Sequence, residues 1–327
     1  MRISLPSETE DPEEKFVSDS QRKALPDMAG IRNATQSELA AAKVQEHWLD
    51  LPDGRMRYLK AGSGPPLILI HGLMGYSFSW RFTLPALAPH ATVYAVDNLG
   101  AGLSTLYEGT RKDCTVHATA ERVLEFADRA GIQQFDLLGT SHGGGVAIVT
   151  ASICTEKNNH RLRRLILVAP VNPWSRHGKR LAPFIGSPFG SILFRNTIER
   201  WRSLDNLWLR RLFGDESKIP PDSLEGYRMP VIKNNGFRHG SRIVKNWSAD
   251  LSALESALPK ARDYPTLLIW GTKDRAVDFA SAEPLRRSFR DARLVALEGV
   301  GHLPYEEAPE DFNRALLEFL IESPSSQ

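Results

Sequence analysis

The amino-acid sequence predicts an α/β fold in which helices cover both faces of a mostly parallel sheet. Two observations lead to this prediction. Short apolar runs recur along the chain, and amphipathic helical patterns lie between several of them. The alternation then stops over residues 172–261, where helix-like patches replace strands. Strands that alternate with helices form parallel sheets, because each helix returns the chain to the starting edge. Residues 172–261 are therefore predicted to be a mostly helical insertion.

The composition excludes several classes of protein. The 327 residues are 42% hydrophobic and 24% charged, which is typical of a globular protein. A net charge of +2 gives no electrostatic reason to expect a nucleic-acid partner. The apolar runs are far shorter than the roughly 18 residues of a membrane span, so no integral membrane segment is predicted. The sequence gives no indication of oligomeric state.

The cellular location is inferred from the N-terminal residues and the cysteine content. The first 21 residues lack the apolar region of a signal peptide, and acidic residues appear within the first ten positions. The two cysteines, Cys114 and Cys154, are too few for a disulfide scaffold. A cytoplasmic location is therefore expected.

The chain begins with a polar segment and then a hairpin. Residues 1–45 are predicted to be a polar N-terminal extension, with a helical pattern near "SELAAAKVQEHW". The alternating segments "EHWLDLP" and "RMRYLKAG" flank Pro52-Asp53-Gly54, which predicts a β-hairpin. Core residues are assigned to two ranges, 46–171 and 262–327, on either side of the insertion.

Six further segments have the apolar character of buried strands, which makes eight strands with the hairpin. They are "PLILIHG", "TVYAVDN", "FDLLGTS", "RLILVAP", "TLLIWG" and "RLVALEG". Among the intervening helical patterns, "TVHATAERVLEFADRAG" has one apolar face and ends at Gly131. The eight strands and these helices complete the predicted core.

A lone serine stands at the bend between a predicted strand and a predicted helix. In "LLGTSHGGGV", Ser141 lies between Gly139 and Gly143 in the pattern G-x-S-x-G. A sharp strand–turn–helix strains the backbone and brings the two elements close together, so glycine is favoured on both sides. The bend lifts the hydroxyl beyond the carboxyl end of the strand. The pattern is short and arises by chance in many chains, but this position predicts a nucleophile.

A serine nucleophile needs a base, and the base needs an orienting carboxylate. His302 follows the last predicted strand, and Asp274 follows the strand before it. Because the carboxyl ends of parallel strands share one edge of a sheet, these residues are expected to meet Ser141 there. Taken singly, Asp274 is equally well interpreted as a turn residue and His302 as a loop histidine. Three suitable residue types at three strand ends predict a catalytic triad.

These segments resemble the α/β-hydrolase fold superfamily, in its serine-nucleophile branch of esterases, lipases and C–C hydrolases. The resemblance runs from about Glu46 to Ile321. It is densest in "PPLILIHGLMGYSFSW", "VDNLGAGLS" and "GTSHGGG", and in "WGTKDRAV" with "GVGHLPYEEAPEDF". It implies an α/β-hydrolase fold with a mostly parallel eight-stranded sheet, and it makes residues 172–261 a helical cap over the active site.

The resemblance also implies a role for each matching residue. Ser141 would be the nucleophile, His302 the general base and then the general acid, and Asp274 the orienting carboxylate. The backbone N–H groups of Leu73 and His142 would form the oxyanion hole. No cofactor and no metal ion are expected.

Two polar residues near these motifs are interpreted as structural. His71 is expected to hold the oxyanion loop rather than to act as a second base. Asp97 is expected to brace the turn at Gly100–Gly102 rather than to take part in catalysis.

Other residues suggest how a substrate would be selected. Most aromatic residues of the cap are interpreted as contacts between cap and core, whereas Tyr76, Phe78 and Trp80 are expected to face the substrate. The cap arginines fit either a substrate carboxylate or a solvated surface. They are Arg195, Arg200, Arg202, Arg210 and Arg211.

The leading hypothesis is a cofactor-independent serine hydrolase of small or medium carboxylic esters that acts through an acyl-enzyme. C–C bond hydrolysis of the meta-cleavage type, lactone opening and perhydrolysis are alternatives, because all use the same triad. A second class of function, without catalysis, is a small-molecule receptor on the same fold. Haloalkane dehalogenases and epoxide hydrolases of this superfamily use an aspartate nucleophile, so Ser141 argues against both activities.

Overall fold

One sheet of nine strands organises the structure. The computed structural model describes residues 34–109, 113–175, 187, 190, 202–233 and 236–321, and the statements below concern these residues. The strands are β1 (Gln45–Leu51), β2 (Gly54–Ala61), β3 (Pro66–Ile70), β4 (Thr92–Val96), β5 (Thr105–Leu106), β6 (Phe135–Thr140), β7 (Leu162–Val168), β8 (Thr266–Gly271) and β9 (Ala292–Leu297).

The sheet is mostly parallel, as predicted. The strand order is β1-β2-β4-β3-β6-β7-β8-β9, and β5 pairs with β2 outside this path. The pairs β1/β2, β2/β4 and β2/β5 are antiparallel, and the other pairs are parallel. The expected eight strands are all present, and the ninth is β5. Two residues are too few to show a periodic pattern, so only the pairing with β2 reveals β5.

Helices connect the strands and cover the sheet. They are α1 (Ala34–Ala41), α2 (Leu84–Leu87), α3 (Val116–Arg129), α4 (His142–Glu156), α5 (Arg202–Leu212), α6 (Ser223–Lys233), α7 (Gly236–Ala261), α8 (Ala282–Arg286), α9 (Pro304–Glu307) and α10 (Pro309–Ile321). The helix α1 lies within the predicted polar extension, yet its Leu39 is buried against the core. Residues 1–33 lie outside the described residues.

The core consists of two apolar layers, one on each face of the sheet. Adjacent residues of a strand point to opposite faces. Leu137 of β6 accordingly packs in one layer with α3 and α4, whereas Leu138 packs in the other layer with α2 and α10. Burial on both faces explains why the central strands read as continuous apolar runs rather than as alternating ones.

The described chain between β7 and β8 is mostly helical. It contains α5, a 3₁₀ turn at Glu216–Lys218, α6 and α7, and the described residues of this stretch include no strand. Within the described chain, every helix is too short or too polar to cross a bilayer. The division into segments 1–45, 46–171, 172–261 and 262–327, and the cytoplasmic location, stay predictions.

Candidate active site

Ser141 lies at the bend between β6 and α4, and its backbone is strained. Its φ is 52° and its ψ is −120°. A positive φ at a non-glycine residue costs on the order of 1–3 kcal/mol, so the surrounding structure must hold it. The Ser141 N–H donates to Val168 O at 2.9 Å, and the Ser141 carbonyl accepts from Val171 N at 2.9 Å. These bonds tie the bend to the end of β7.

The flanking glycines are required because backbone atoms occupy the space of a side chain. A Cβ on Gly139 would lie 2.2 Å from Gly143 O, and a Cβ on Gly143 would lie 2.4 Å from His71 O. Both distances are far below van der Waals contact. The close approach of strand and helix expected from G-x-S-x-G is therefore present.

Asp274 and His302 form a buried hydrogen-bonded pair at the carboxyl ends of β8 and β9. His302 Nδ1 lies 2.7 Å from Asp274 Oδ2. Asp274 Oδ1 accepts hydrogen bonds from Ala276 N at 2.7 Å and Val277 N at 2.9 Å. Because a carboxylate only accepts, we assign the imidazole proton to Nδ1, which leaves Nε2 free to accept a proton.

Ser141 and His302 line the same cavity, which has a volume of about 390 Å³. A Cβ on Gly72 would lie 3.7 Å from Ser141 Oγ, so the hydroxyl lies beside the loop that follows β3. No hydrogen bond joins Ser141 Oγ to the His302 ring, both of which lie in the described chain. The structure thus brings the three predicted residues to one sheet edge, with the aspartate–histidine contact made and the serine–histidine contact open.

Both predicted oxyanion-hole residues are next to Ser141. Leu73 lines the cavity and follows Gly72, at which a Cβ would lie 3.1 Å from Ser141 Cβ. His142 is the first residue of α4. The first N–H groups of a helix have no intrahelical acceptor, and the helix dipole favours negative charge there. The arrangement can therefore accept an oxyanion.

His71 holds the loop after β3, as its sequence position suggested. His71 Nδ1 lies 2.8 Å from Gly72 O, and Asn98 N donates to His71 Nε2 at 3.1 Å. Burial lowers the pKa of His71. A neutral ring with its proton on Nδ1 satisfies both contacts, so neither nitrogen is free to act as a second base.

Asp97 braces the turn that follows β4. Its Oδ1 accepts from Ser77 N at 2.7 Å, and its Oδ2 accepts from Leu103 N at 3.0 Å and from the Arg57 guanidinium at 3.2 Å. A Cβ on Gly102 would lie 2.4 Å from Asp97 Oδ2, so the turn closes tightly on the carboxylate. This geometry agrees with the structural interpretation of Asp97.

Glu307, which the sequence reasoning did not single out, anchors the loop that carries His302. Its Oε2 accepts from Gly301 N at 2.7 Å and from Gly214 N at 2.9 Å. His302 N donates to Leu212 O at 2.6 Å. One carboxylate therefore joins the histidine loop to the segment after α5. The signal was a glutamate shortly after the histidine, but two of its backbone partners, Gly214 N and Asp215 N, are far away in the chain.

Comparison with known proteins assigns the chain to a family. The model of the alpha/beta hydrolase family matches residues 67–315, a range that contains Ser141, Asp274 and His302. The chain belongs to the alpha/beta hydrolase family. This confirms the resemblance that the sequence motifs indicated.

Individual relatives span most of this hydrolase. It is 29% identical over 286 residues to haloalkane dehalogenase 2 of Mycobacterium tuberculosis, covering 84% of this chain and 94% of that protein. It is 30% identical over 286 residues to pyrrolizixenacetamide deacetylase of Xenorhabdus hominickii, covering 82% and 96%. A solved structure of a membrane phospholipase A, a bacterial virulence factor, superposes with a TM-score of 0.67 at 26% identity, covering 87% and 88%.

The cavity of this hydrolase is lined mainly by apolar side chains from the loop after β3 and from the helices between β7 and β8. Among the described lining residues, none is Asp, Glu, Lys or Arg. The described chain also lacks a group of three or more His, Cys, Asp or Glu side chains that could hold a metal ion. The described part of the lining is therefore mainly apolar.

Five lining residues on α7 were missed by the sequence reasoning. They are Gly240, Ser241, Val244, Trp247 and Leu251. The last two recur at a spacing of four residues, which is the signal of one helical face. This spacing shows that Trp247 and Leu251 share one face of α7. It does not show whether that face contacts the core or a cavity.

The expectation that Tyr76, Phe78 and Trp80 face the substrate does not match the structure, because none of them lines the cavity. Residues Ser77–Trp80 form a 3₁₀ turn that directs the rings elsewhere. Phe78 packs edge-on to Tyr227 of α6 at a centroid distance of 5.4 Å, and Trp80 is fully buried. Ser79, between them, lines the cavity instead.

The described cap arginines lie outside the cavity lining. Arg210 and Arg211 are exposed, and Arg210 pairs with Glu216 at 3.4 Å. Arg195 and Arg200 lie outside the described residues, and so does the side chain of Arg202. For the two that are described, the interpretation as surface residues fits. Of the aromatic residues that the sequence singled out in this stretch, Phe184, Phe189, Phe194 and Trp201 also lie outside the described residues.

A second buried aspartate and histidine face each other beside Ser141. His142 Nε2 of α4 lies 4.0 Å from Asp250 Oδ2 of α7, and neither atom has a hydrogen-bond partner in the described chain. Asp250 Oδ1 accepts from Val116 N at 3.0 Å. Burial raises the pKa of Asp250 to about 7, and burial lowers the pKa of His142 to about 4.

Proposed function

We propose that this protein is a serine hydrolase that cleaves uncharged carboxylic esters of small to medium size through Ser141, His302 and Asp274. The observation that supports this most is the 2.7 Å hydrogen bond between His302 and Asp274 at a cavity that Ser141 also lines. An imidazole oriented by a carboxylate beside a strained serine is the arrangement that acyl transfer needs.

In the first half of the reaction, Ser141 Oγ attacks the ester carbonyl carbon while His302 Nε2 takes the hydroxyl proton. The mechanism requires Ser141 to turn from the loop after β3 towards His302, which is a rotation between staggered side-chain positions. The backbone N–H groups of Leu73 and His142 stabilise the oxyanion. His302 then gives its proton to the leaving alkoxide, and the acyl group stays on Ser141.

In the second half, water attacks the acyl-enzyme. His302 Nε2 removes a proton from the water, and the same oxyanion hole stabilises the second tetrahedral intermediate. Collapse of this intermediate breaks the bond to Ser141 Oγ, which regains its proton from His302. Asp274 keeps the imidazole in the required tautomer and stabilises its positive charge in both halves.

Ester hydrolysis is favoured over the alternatives by the chemistry of the site. Dehalogenation by the aspartate mechanism lacks its nucleophile, because the position holds Ser141. Hydrolysis of a C–C bond in a vinylogous diketone acid would favour a cation for the carboxylate, and Arg210 and Arg211, the two candidate arginines whose side chains are described, lie outside the cavity lining. The receptor alternative is less favoured because the serine, histidine and aspartate are all retained.

Labelling with a fluorophosphonate tests the proposal directly. We expect one covalent adduct, mapped by mass spectrometry to the peptide with Ser141, and no adduct in Ser141→Ala. Wild-type protein should hydrolyse p-nitrophenyl acetate or butyrate, and Ser141→Ala should not. Equal hydrolysis by the two proteins would remove Ser141 as the nucleophile. Tight binding of esters without turnover would favour the receptor alternative.

A further inference from the structure

The polar groups on one wall of the cavity are already satisfied by the protein. The Tyr227 hydroxyl donates to Glu306 Oε1 and lies 3.1 Å from Ser79 Oγ. Glu306 in turn pairs with the buried Arg81 guanidinium at 2.8 Å. These groups hold α6 to the core and leave little hydrogen-bonding capacity for a ligand.

Two other residues that line the cavity carry polar atoms that the protein leaves unpaired. Ser175 Oγ and Trp247 Nε1 are buried and have no hydrogen-bond partner in the described chain, and Ser175 is only 5% exposed. Other buried side-chain atoms there also lack partners, but only these two belong to residues that line the cavity. Buried polar groups are nearly always paired, so two unpaired ones in a ligand cavity indicate a missing ligand partner.

The backbone of Ser175 is held firmly in place by Asn172. Asn172 Oδ1 accepts from Trp174 N and from Ser175 N, each at 3.0 Å. Asn172 Nδ2 donates to Pro170 O and to Ser281 Oγ, each also at 3.0 Å. The asparagine side chain is thus fully used in fixing the turn, and the Ser175 hydroxyl is the group left over at the cavity.

Trp247 packs against the same buried cluster as Val171 and Val277, which also line the cavity. The fully buried Trp270 has its indole N–H paired, because Nε1 donates to Val277 O at 3.1 Å. Trp80 Nε1 is unpaired like that of Trp247, but Trp80 lies outside the cavity lining. Trp80 therefore serves as a matched control for Trp247.

The ligand chemistry follows from the two groups. An indole N–H only donates, and a serine hydroxyl both donates and accepts. Each can therefore donate to an acceptor oxygen. Both donors are uncharged, so they suit a neutral oxygen better than a carboxylate, which binds most strongly beside a cation.

We propose that Ser175 and Trp247 donate hydrogen bonds to neutral ether or carbonyl oxygens of the substrate outside its reacting ester group. The preferred substrates are then oxygen-bearing esters, such as alkoxy esters and keto esters, rather than plain alkyl esters. This inference rests on the proposed ester hydrolysis. A plain alkyl ester leaves both donors unpaired, and a site built to hydrogen-bond a substrate group discriminates against analogues that lack it.

The test compares esters that differ by one atom. Each CH₂ of an unbranched acyl chain that is not bonded to the ester group is replaced in turn by oxygen or by a carbonyl group, and the same is done along the alcohol chain. The kcat/KM of each ester is divided by that of its parent. The proteins are wild type, Ser175→Ala, Trp247→Phe and the control Trp80→Phe, with active sites counted by fluorophosphonate titration. Because the same esters are used throughout, intrinsic reactivity cancels between proteins.

We expect wild type to prefer at least one oxygen-bearing ester, and Ser175→Ala and Trp247→Phe each to reduce that preference about 10-fold. Trp80→Phe should leave the preference unchanged. If neither Ser175→Ala nor Trp247→Phe reduces the preference for any member of the panel, the proposal of these hydrogen bonds is wrong. If Trp80→Phe reduces it equally, loss of packing is the cause and the proposal is also wrong.

Failure of the proposed hydrogen bonds is distinguishable from failure of the proposed function. With the hydrogen bonds wrong and the function right, all proteins hydrolyse the panel with equal preferences and Ser141 is still labelled. With the function wrong, wild type hydrolyses no ester of the panel, Ser141 is not labelled, and the inference of these hydrogen bonds fails with it.

Discussion

Two buried aspartate–histidine pairs flank Ser141, and they differ in how completely their atoms are paired. In one, His302 Nδ1 lies 2.7 Å from Asp274 Oδ2, and two backbone N–H groups bind the other carboxylate oxygen. In the other, His142 Nε2 and Asp250 Oδ2 are 4.0 Å apart, both without a partner. The same residue types thus occupy very different electrostatic environments.

The difference arises from the elements that carry the two pairs. Asp274 and His302 are on loops that follow adjacent parallel strands, and loops can adjust until the side chains meet. His142 and Asp250 are on two packed helices, α4 and α7. There Leu254 of α7 packs against Gly145 of α4, so helix packing sets the separation. Position on loops at a sheet edge therefore favours a directly bonded pair.

The largest expected effect comes from breaking the proposed catalytic pair. Asp274→Asn should lower kcat by about 10⁴, because an amide cannot hold His302 in the required tautomer. Asp250→Asn should change kcat less than 10-fold at the same pH, since Asp250 makes no hydrogen bond to an imidazole. Steady-state kinetics with p-nitrophenyl butyrate measures both. Similar losses in the two variants would show that the wrong pair has been assigned to catalysis.

A smaller effect is expected from loosening the loop that carries His302. Glu307→Ala removes the acceptor for Gly301 N and Gly214 N, so the imidazole loses its fixed position. Misplacement by about 1 Å can cost about 10²-fold in rate, and we expect a decrease in kcat of up to that size. Glu307→Gln keeps one acceptor oxygen and should lose less. An unchanged kcat in Glu307→Ala would mean that the loop holds its shape without the carboxylate.

The smallest expected effect is on the pH dependence of stability. The folded-state pKa of Asp250 is raised to about 7, above the roughly 3.9 of an unfolded chain. The folded protein therefore binds more protons than the unfolded chain between these values, and this carboxyl lowers stability as pH rises from about 4 to about 7. Asp250→Asn removes this carboxyl and therefore removes its pH-dependent decrease in stability. The free energy of unfolding of Asp250→Asn relative to wild type should thus increase with pH.

Urea unfolding of both proteins at pH 5 and pH 8 measures this difference. His142 acts in the opposite direction, since its pKa is lowered to about 4 and its contribution to stability rises with pH between about 4 and 6.5. It is present in both proteins, so the comparison isolates Asp250. A difference in stability that does not vary with pH would mean that Asp250 titrates normally.

The strand–turn–helix around Ser141 could be predicted because its constraints are local. Gly139 is required by Gly143 O, four residues along the chain, whereas Gly143 is also required by His71 O of the neighbouring loop. The positions of Asp274 and His302 could also be predicted, because each residue follows its own strand segment closely in the sequence. By contrast, Trp247 and Glu307 owe their positions to long-range contacts, and Tyr76 and Phe78 turned away from the cavity because α6 packs over them.

The parallel sheet, the glycine-flanked bend and the strand ends that carry Ser141, Asp274 and His302 could be read from the amino-acid pattern, because period and turn chemistry act between neighbouring residues. Which aspartate pairs with which histidine, and which polar atoms of the cavity lining stay unpaired, became visible only in the folded molecule. Those outcomes depend on distances between helices and loops that are far apart in the chain. Such distances are set by packing of the whole molecule and leave no periodic trace in the sequence.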